Sequence, residues 1–153
     1  MERSEKARAV MRRWSASNLL AEVTSQQPIE MILLRQLASY LTIAIWMMDA
    51  DGNLIYYNEP AEGLLGVTFD DAGPIHADQL SELFRVTDLE GNPMEDSAMP
   101  VVRALLKQKP THGELRFCGM DGIWRDVEIT AIPVEGQAQR FLGVFATFWK
   151  LDE

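Results

Sequence analysis

Two segments of the chain carry apolar side chains at consecutive positions, and each has the length of a single β-strand. In residues 43–49 and 140–150, large apolar residues fall on both faces of an extended chain, as Trp46-Met47 illustrates. A strand that exposes one face to water alternates apolar with polar residues, so these two strands must be covered on both sides. The fold therefore needs an apolar layer on each face of its sheet.

One of those layers is predicted to come from a helix ahead of the first strand. Residues 1–41 are predicted as helix in two pieces, with a break near residues 24–27, because Pro28 tolerates only the first helical turn. In the second piece, six apolar residues share one broad arc of the helix: Ile29, Leu33, Leu34, Leu37, Tyr40 and Leu41. The arc is wider than one contact surface requires.

A hairpin and a short helix are predicted directly after the first of the two strands. Asp51-Gly52 lies between two strand-like runs, the second at residues 54–58, and Asp-Gly at such a place is typical of a tight turn. Asn58 is a suitable cap for a short helix. Gly66 is a suitable end for it, because glycine readily adopts the left-handed conformation that ends helices.

Beyond residue 66 the pattern predicts loops, two further helices and three further strands. In the first two of those strands, Leu115, Phe117, Val127 and Ile129 alternate with polar residues, so one face is exposed to water. The predicted elements are a helical turn at residues 77–84, a longer helix at residues 100–109, and strands at residues 112–118, 124–133 and 140–150.

Charge and cysteine content narrow the class of protein. The chain has 14 Lys and Arg against 23 Asp and Glu, a net charge of -9, and a protein so acidic repels the phosphates of nucleic acid. Its single cysteine, Cys118, cannot form a disulfide within the chain, which favours a reducing compartment. The longest apolar stretch is far shorter than the ~20 residues of a membrane-spanning helix. We therefore expect a cytoplasmic protein that neither binds nucleic acid nor spans a membrane.

Five motifs in a fixed order resemble the PAS sensory domain family. The first, LLRQLASYLTIAIWMMDADGNLIYYNEPAEGLLG at residues 33–66, carries Asp49, Gly52, Asn58 and Gly66 at the positions that match the family. The other four are DLEGNPM, MPVVRALL, WRDVEITAIPV and FLGVFATF. The resemblance covers roughly residues 35–150.

The resemblance implies an α+β PAS fold with a five-stranded antiparallel sheet in the order 2-1-5-4-3. Small helices would lie on one face of the sheet and an amino-terminal helix on the other. It divides the chain into a helical segment for capping or dimerisation, residues 1–41, and a PAS domain, residues 42–153. In this order the first and last strands are central neighbours, in agreement with their two-faced apolar pattern.

Catalysis and known cofactor chemistry are not indicated. Haem-binding relatives hold iron through a histidine on the long helix, whereas His76 and His112 lie elsewhere in this sequence. Light-oxygen-voltage relatives keep their flavin-reactive cysteine near the small helices, whereas Cys118 lies at the end of a strand. The sequence also shows no metal-binding doublet and no carboxylate pair beside a nucleophile. We therefore expect no enzyme and no metal site, and the cofactor stays unknown, with neither a haem nor a covalent flavin signature.

An apolar, lipid-like molecule is the ligand that the predicted interior suits best. The concave face of the sheet and the small helices gather apolar side chains with few polar groups among them. The candidate binding residues are Met48, Tyr56, Leu64, Phe84, Val102, Leu106, Leu115, Phe117, Val127 and Ile129. Either these side chains fill the space themselves, at the close packing of ordinary interiors, or a ligand shares it.

Two functions follow from these observations. The leading hypothesis is a signal-sensing and protein-interaction module of signal transduction or transcriptional regulation, with a downstream signalling protein as its partner. It would homodimerise through its amino-terminal helix and sheet face, as the wide apolar arc of that helix indicates. The alternative is a receptor that binds a small apolar ligand in the PAS pocket.

Overall fold

An antiparallel sheet of six strands forms the centre of the structure, a computed structural model that describes residues 27–151. The first piece of the predicted amino-terminal helix lies outside the described residues, as does its predicted break. The second piece is present as predicted and begins directly after Pro28.

The predicted elements follow one another in the predicted order, and the structure adds a short helix and a short strand in segments that were predicted as loop. The helices are α1 (Ile29–Tyr40), α2 (Glu59–Leu65), α3 (Phe69–Ala72), α4 (Ala77–Leu83) and α5 (Pro100–Lys107). The strands are β1 (Ala44–Asp49), β2 (Leu54–Tyr57), β3 (Arg85–Thr87), β4 (Thr111–Cys118), β5 (Trp124–Glu135) and β6 (Phe141–Lys150). Two 3-10 turns, Asp96–Ala98 and Gln137–Gln139, complete the set.

The strand order is β2-β1-β6-β5-β4-β3, with antiparallel pairing throughout the sheet. The predicted five-stranded order is confirmed, and β1 and β6 are central neighbours. The sixth strand, β3, is an addition: it lies at the edge and pairs with β4, with Val86 opposite Phe117. Three residues are too few for an apolar alternation to be recognised, which is why this segment was predicted as loop.

Both faces of β1 are buried, as its sequence predicted. We call the face against α2–α5 the front and the face against α1 the back. On the front, Met48 belongs to the large apolar cluster that those helices cover. On the back, Ile45 and Met47 are fully buried in a second cluster, to which α1 contributes Met31 and Ala38. The predicted cover of the back by the amino-terminal helix is therefore confirmed.

The close approach of β6 to β1 depends on a glycine. Gly143 lies opposite Asp49 in the register of the two strands and has a φ of 153°. A Cβ at this position would overlap the carbonyl oxygen of Met48. Any other residue would therefore push apart the two strands on which both clusters are built.

Asn58 joins α1, β1 and α2 through its buried side chain. Its Oδ1 accepts hydrogen bonds from the backbone N–H groups of Ile45, at 2.9 Å, and Ala61, at 3.2 Å. Its Nδ2 donates to the carbonyl oxygens of Ala38, at 3.0 Å, and Ile43, at 2.8 Å. The side chain is 1% exposed, so these four bonds replace the water that it would otherwise bind. The predicted cap of α2 is confirmed, and the same residue also holds the end of α1.

We predict that Asn58→Ala lowers the free energy of unfolding by about 3 kcal/mol, because it removes a helix cap and leaves buried backbone groups unpaired. Equilibrium urea denaturation measures the change. The control is Asn92→Ala, since Asn92 is exposed and its side chain donates a hydrogen bond to the exposed Asp88, at 3.3 Å. A loss below about 1 kcal/mol for Asn58→Ala would contradict the proposed role.

Candidate functional site

The structure brings seven of the ten predicted binding residues together in the front cluster. All seven belong to or pack against one apolar cluster: Met48, Leu64, Phe84, Leu115, Phe117, Val127 and Ile129. Leu64 is half-buried and the other six are buried. Their burial against one another favours the interpretation in which side chains fill this space, and binding of an apolar ligand there stays a prediction.

Trp46 is a front residue that the sequence analysis missed. Its ring centroid lies 4.8 Å from that of Phe148 and 6.0 Å from that of Phe84, so it joins β1 and β6 to the end of α4. The signal was present, because Trp46 is two residues from Met48 on the same strand and must share its face.

Two predicted residues on α5 do not line the front cluster as expected. Leu106 is 71% exposed, so its predicted place in the pocket is wrong, and Val102 is only half-buried. The helix instead buries Val101 and Ala104. The first residue of the helix decides which side faces the core. Pro100 is itself fully buried, and its carbonyl oxygen accepts a hydrogen bond from the hydroxyl of Thr111.

Tyr56 was predicted on the front face, but it lies on the back. In the pairing of β1 with β2, Met47 is opposite Tyr56 and Met48 is opposite Leu54, which leaves Ile55 as an extra residue. Such a β-bulge shifts the alternation by one position and sends every later side chain to the other face. Tyr56 accordingly packs against the back cluster.

Phe69 of α3 packs against the two tyrosines of β2. Its ring meets Tyr56 and Tyr57 edge to face, with both pairs of centroids 5.2 Å apart. Tyr57 donates a hydrogen bond to the carbonyl oxygen of Val67, at 3.0 Å, and burial raises its pKa well above the ordinary value of a tyrosine. Tyr57 therefore stays neutral, and its role is to hold the loop between α2 and α3.

Arg125, at the start of β5, links the turn between β4 and β5 to the end of α2. The Arg125 Nη2 lies 2.7 Å from an Asp121 carboxylate oxygen, and its Nη1 donates to the carbonyl of Leu64, at 2.9 Å. The backbone N–H of Met120 donates to the carbonyl of Leu65, at 2.7 Å. The hydrogen bonds from Arg125 hold the pKa of Asp121 below its ordinary value. These contacts fix Leu64 against the front cluster.

The titratable groups of the described chain form no arrangement that is typical of a metal centre. Within residues 27–151, no group of three or more His, Cys, Asp or Glu side chains converges. His76 accepts a hydrogen bond from the backbone of Asp78 at the start of α4, and His112 contacts Glu128 at 3.1 Å on the back of the sheet. The same part of the chain holds no helix long and apolar enough to cross a membrane.

Comparisons with known proteins agree with this geometry. A family model described as PAS domain matches residues 42–148. No curated protein sequence matches the chain.

Solved PAS structures share the fold. The PAS domain of a protein from Colwellia psychrerythraea has 22% identity and a TM-score of 0.56, over 78% of this chain and 97% of that one. The PAS domain of nitrogen regulation protein NR(II) from Vibrio parahaemolyticus has 19% identity and a TM-score of 0.56, over 78% and 98%. The LOV protein of Rhodobacter sphaeroides has 14% identity and a TM-score of 0.63, over 82% and 70%.

We predict that a large side chain destabilises the protein on the buried face of α5 and is tolerated on the exposed face. Ala104→Trp should lower the free energy of unfolding by about 2 kcal/mol or more, because Ala104 is fully buried and the new ring overpacks the front cluster. Leu106→Trp is the matched control and should change it by less than about 0.5 kcal/mol. Thermal unfolding followed by circular dichroism measures both changes. Equal losses of stability for the two variants would show that a different side of α5 faces the core.

The pair of Asp121 and Arg125 predicts a stability difference that depends on pH. The folded pKa of Asp121 is lowered, so the carboxylate stabilises the fold above its unfolded pKa near 3.8, and this contribution disappears as the pH falls through the folded value. Asp121→Asn should therefore cost about 1 kcal/mol at pH 7 and much less at pH 3. Urea denaturation at both values measures the cost. Asp51→Asn, in an exposed turn, is the control, and an equal cost at both pH values would contradict the ion pair.

Proposed function

The chain belongs to the PAS domain family of signal-sensing modules in signalling proteins, and we propose that it acts as a homodimer joined through the outer side of α1 and the back of the sheet. The observation that carries this proposal is a row of large apolar side chains on α1 that the rest of residues 27–151 leaves exposed. We call it the α1 stripe, and it consists of Ile29, Ile32, Leu33, Leu37 and Tyr40.

The α1 stripe is exposed to a degree that is unusual for such residues. The exposed fractions of its five side chains range from 52% for Leu37 to 76% for Tyr40. Single exposed apolar residues are common, whereas a contiguous row on one side of a helix is typical of an interaction surface. A second copy of the chain would bury this row.

The helix α1 can contact a second copy of the chain while it keeps its contact with the sheet of its own chain. Met31 and Ala38, which face the sheet, lie on the opposite side of α1 from Leu33, Leu37 and Tyr40. The broad apolar arc that the sequence predicted is therefore divided between a buried side and an exposed side. Within the part of the chain that the structure describes, the buried side is the one that packs against the sheet.

Two large apolar side chains on the back of the sheet are also left exposed by the described residues. Ile132 is 42% exposed on β5 and Trp149 is 51% exposed on β6. Between them lie Phe145, opposite Ile132, and Thr147, both half-buried. A symmetric dimer could bury the α1 stripe of each copy against this region of the other, because a two-fold axis pairs the same surfaces.

This arrangement would give the module a route from its interior to a partner. Trp46 and Met48 of β1 face the front cluster, whereas Ile45 and Met47 of the same strand contact the back cluster under α1. A change in the packed front cluster would therefore shift β1 and, with it, the surface against which α1 packs. A downstream signalling protein or transcriptional regulator could read the altered dimer.

We predict that the full chain is a dimer in solution and that Leu33→Glu combined with Leu37→Glu makes it a monomer. Both side chains are more than half exposed, so the fold should be retained while two charges enter the proposed interface. Size-exclusion chromatography with light scattering measures the mass, and circular dichroism checks the fold.

The matched control is Leu106→Glu, which places the same charge at a residue 71% exposed on α5 and should leave the dimer intact. A full chain that is monomeric at every accessible concentration would overturn the proposal. A folded double variant that stays dimeric would overturn the assignment of the interface to α1.

A further inference from the structure

A cavity lies between α1 and the back of the sheet, away from the front cluster. Its volume is about 290 Å³. It is lined by Gln27, Met31, Ile32, Arg35, Met47, Ile55 and Tyr56, and we call it the α1 cavity. Most of these groups are apolar, and Arg35 is the charged residue among them. The β-bulge contributes to this composition, because the extra residue lets both Ile55 and Tyr56 reach the back face.

The guanidinium of Arg35 is held in place by aromatic rings. Its central carbon lies 4.6 Å from the ring centroid of Tyr56 and 5.5 Å from that of Phe69. The positive charge is attracted to the electron-rich rings, and this attraction does not consume the hydrogen-bonding capacity of the N–H donors. Within residues 27–151, no carboxylate lies at ion-pair distance from Arg35. The donors are therefore available to a bound anion.

The charged side chain in the lining of the α1 cavity is a cation, Arg35, although the protein as a whole is acidic. Besides burial, the negative charge of Glu62 raises the pKa of Tyr56, and a carboxylate oxygen of Glu62 accepts a hydrogen bond from the backbone N–H of Phe69, at 2.7 Å. Burial raises the pKa of Tyr56, and the charge of Arg35 opposes that rise more strongly than the charge of Glu62 adds to it. In a chain of net charge -9, the α1 cavity therefore combines one cation, Arg35, with a mostly apolar lining.

We propose that the α1 cavity binds a small amphipathic carboxylate, with its apolar body against Met31, Met47 and Ile55 and its carboxylate on the edge of Arg35. The volume lies at the lower end of the ~300–1,000 Å³ that is typical of ligand pockets, so the molecule is small. A planar carboxylate matches the paired donors of a guanidinium better than a neutral hydroxyl does. This site is separate from the predicted front pocket, and it shares Ile32 with the α1 stripe.

The methionines of this chain provide a direct test. The full chain, labelled with ¹³C at its methionine methyl groups, is titrated with octanoate and separately with octan-1-ol, which has the same apolar chain without the charge. Met31 and Met47 line the α1 cavity, whereas Met48 and Met120 lie in the front cluster. Octanoate is expected to shift the Met31 and Met47 resonances and to leave those of Met48 and Met120 in place. Shifts of Met48 and Met120 instead, or no shifts at all, would overturn the proposal.

Two charge-neutralising variants test the role of Arg35. Arg35→Gln should weaken octanoate binding about tenfold, because a charge-assisted bond is lost, and should leave octan-1-ol binding nearly unchanged. Arg103→Gln, on α5, changes the net charge equally and should leave octanoate binding unchanged. If Arg35→Gln had no effect on octanoate, or if Arg103→Gln weakened it as much, the assignment of the carboxylate to Arg35 would be wrong.

Discussion

Burial of the central strands on both faces is the constraint on which the rest of this structure depends. β1 and β6 carry apolar side chains toward the front and toward the back, so neither can exist without two covers. The helices α2–α5 supply one cover and α1 supplies the other. Asn58 joins the two systems, because its four hydrogen bonds are complete only when the end of α1, the start of β1 and the start of α2 meet. Gly143 then allows β6 to approach β1 closely enough for both clusters to form.

Most of the architecture could be predicted from the sequence, because its signals are local. The Asp-Gly turn, the cap at Asn58 and the helix end at Gly66 each depend on a few neighbouring residues, and all three are confirmed. The strand order was implied by the resemblance to the PAS family, and the two-faced apolar pattern of the first and last predicted strands agreed with it. The strand β3 could not be predicted, since its three residues leave too short a pattern.

The errors in the predicted site have tertiary causes. Tyr56 changed face because one extra residue in β2 shifted the alternation, and nothing in the local sequence marks Ile55 as that residue. Leu106 was placed in the interior because α5 has apolar residues on more than one side, and only the burial of Pro100 decides which side faces inward. Both positions depend on contacts between elements that are distant in the chain, which periodicity alone does not describe.

The helix α1 contributes both to the core of the fold and to the two proposed binding surfaces. One side of it completes the core, its opposite side forms the α1 stripe, and between them it borders the α1 cavity. The most direct test of the whole account is therefore the contact of α1 with β1 in the full chain. A methyl NOE experiment on the methionine-labelled protein should show a cross-peak between Met31 and Met47. A Met31 methyl with the chemical shift of an unstructured peptide and no such cross-peak would contradict the account.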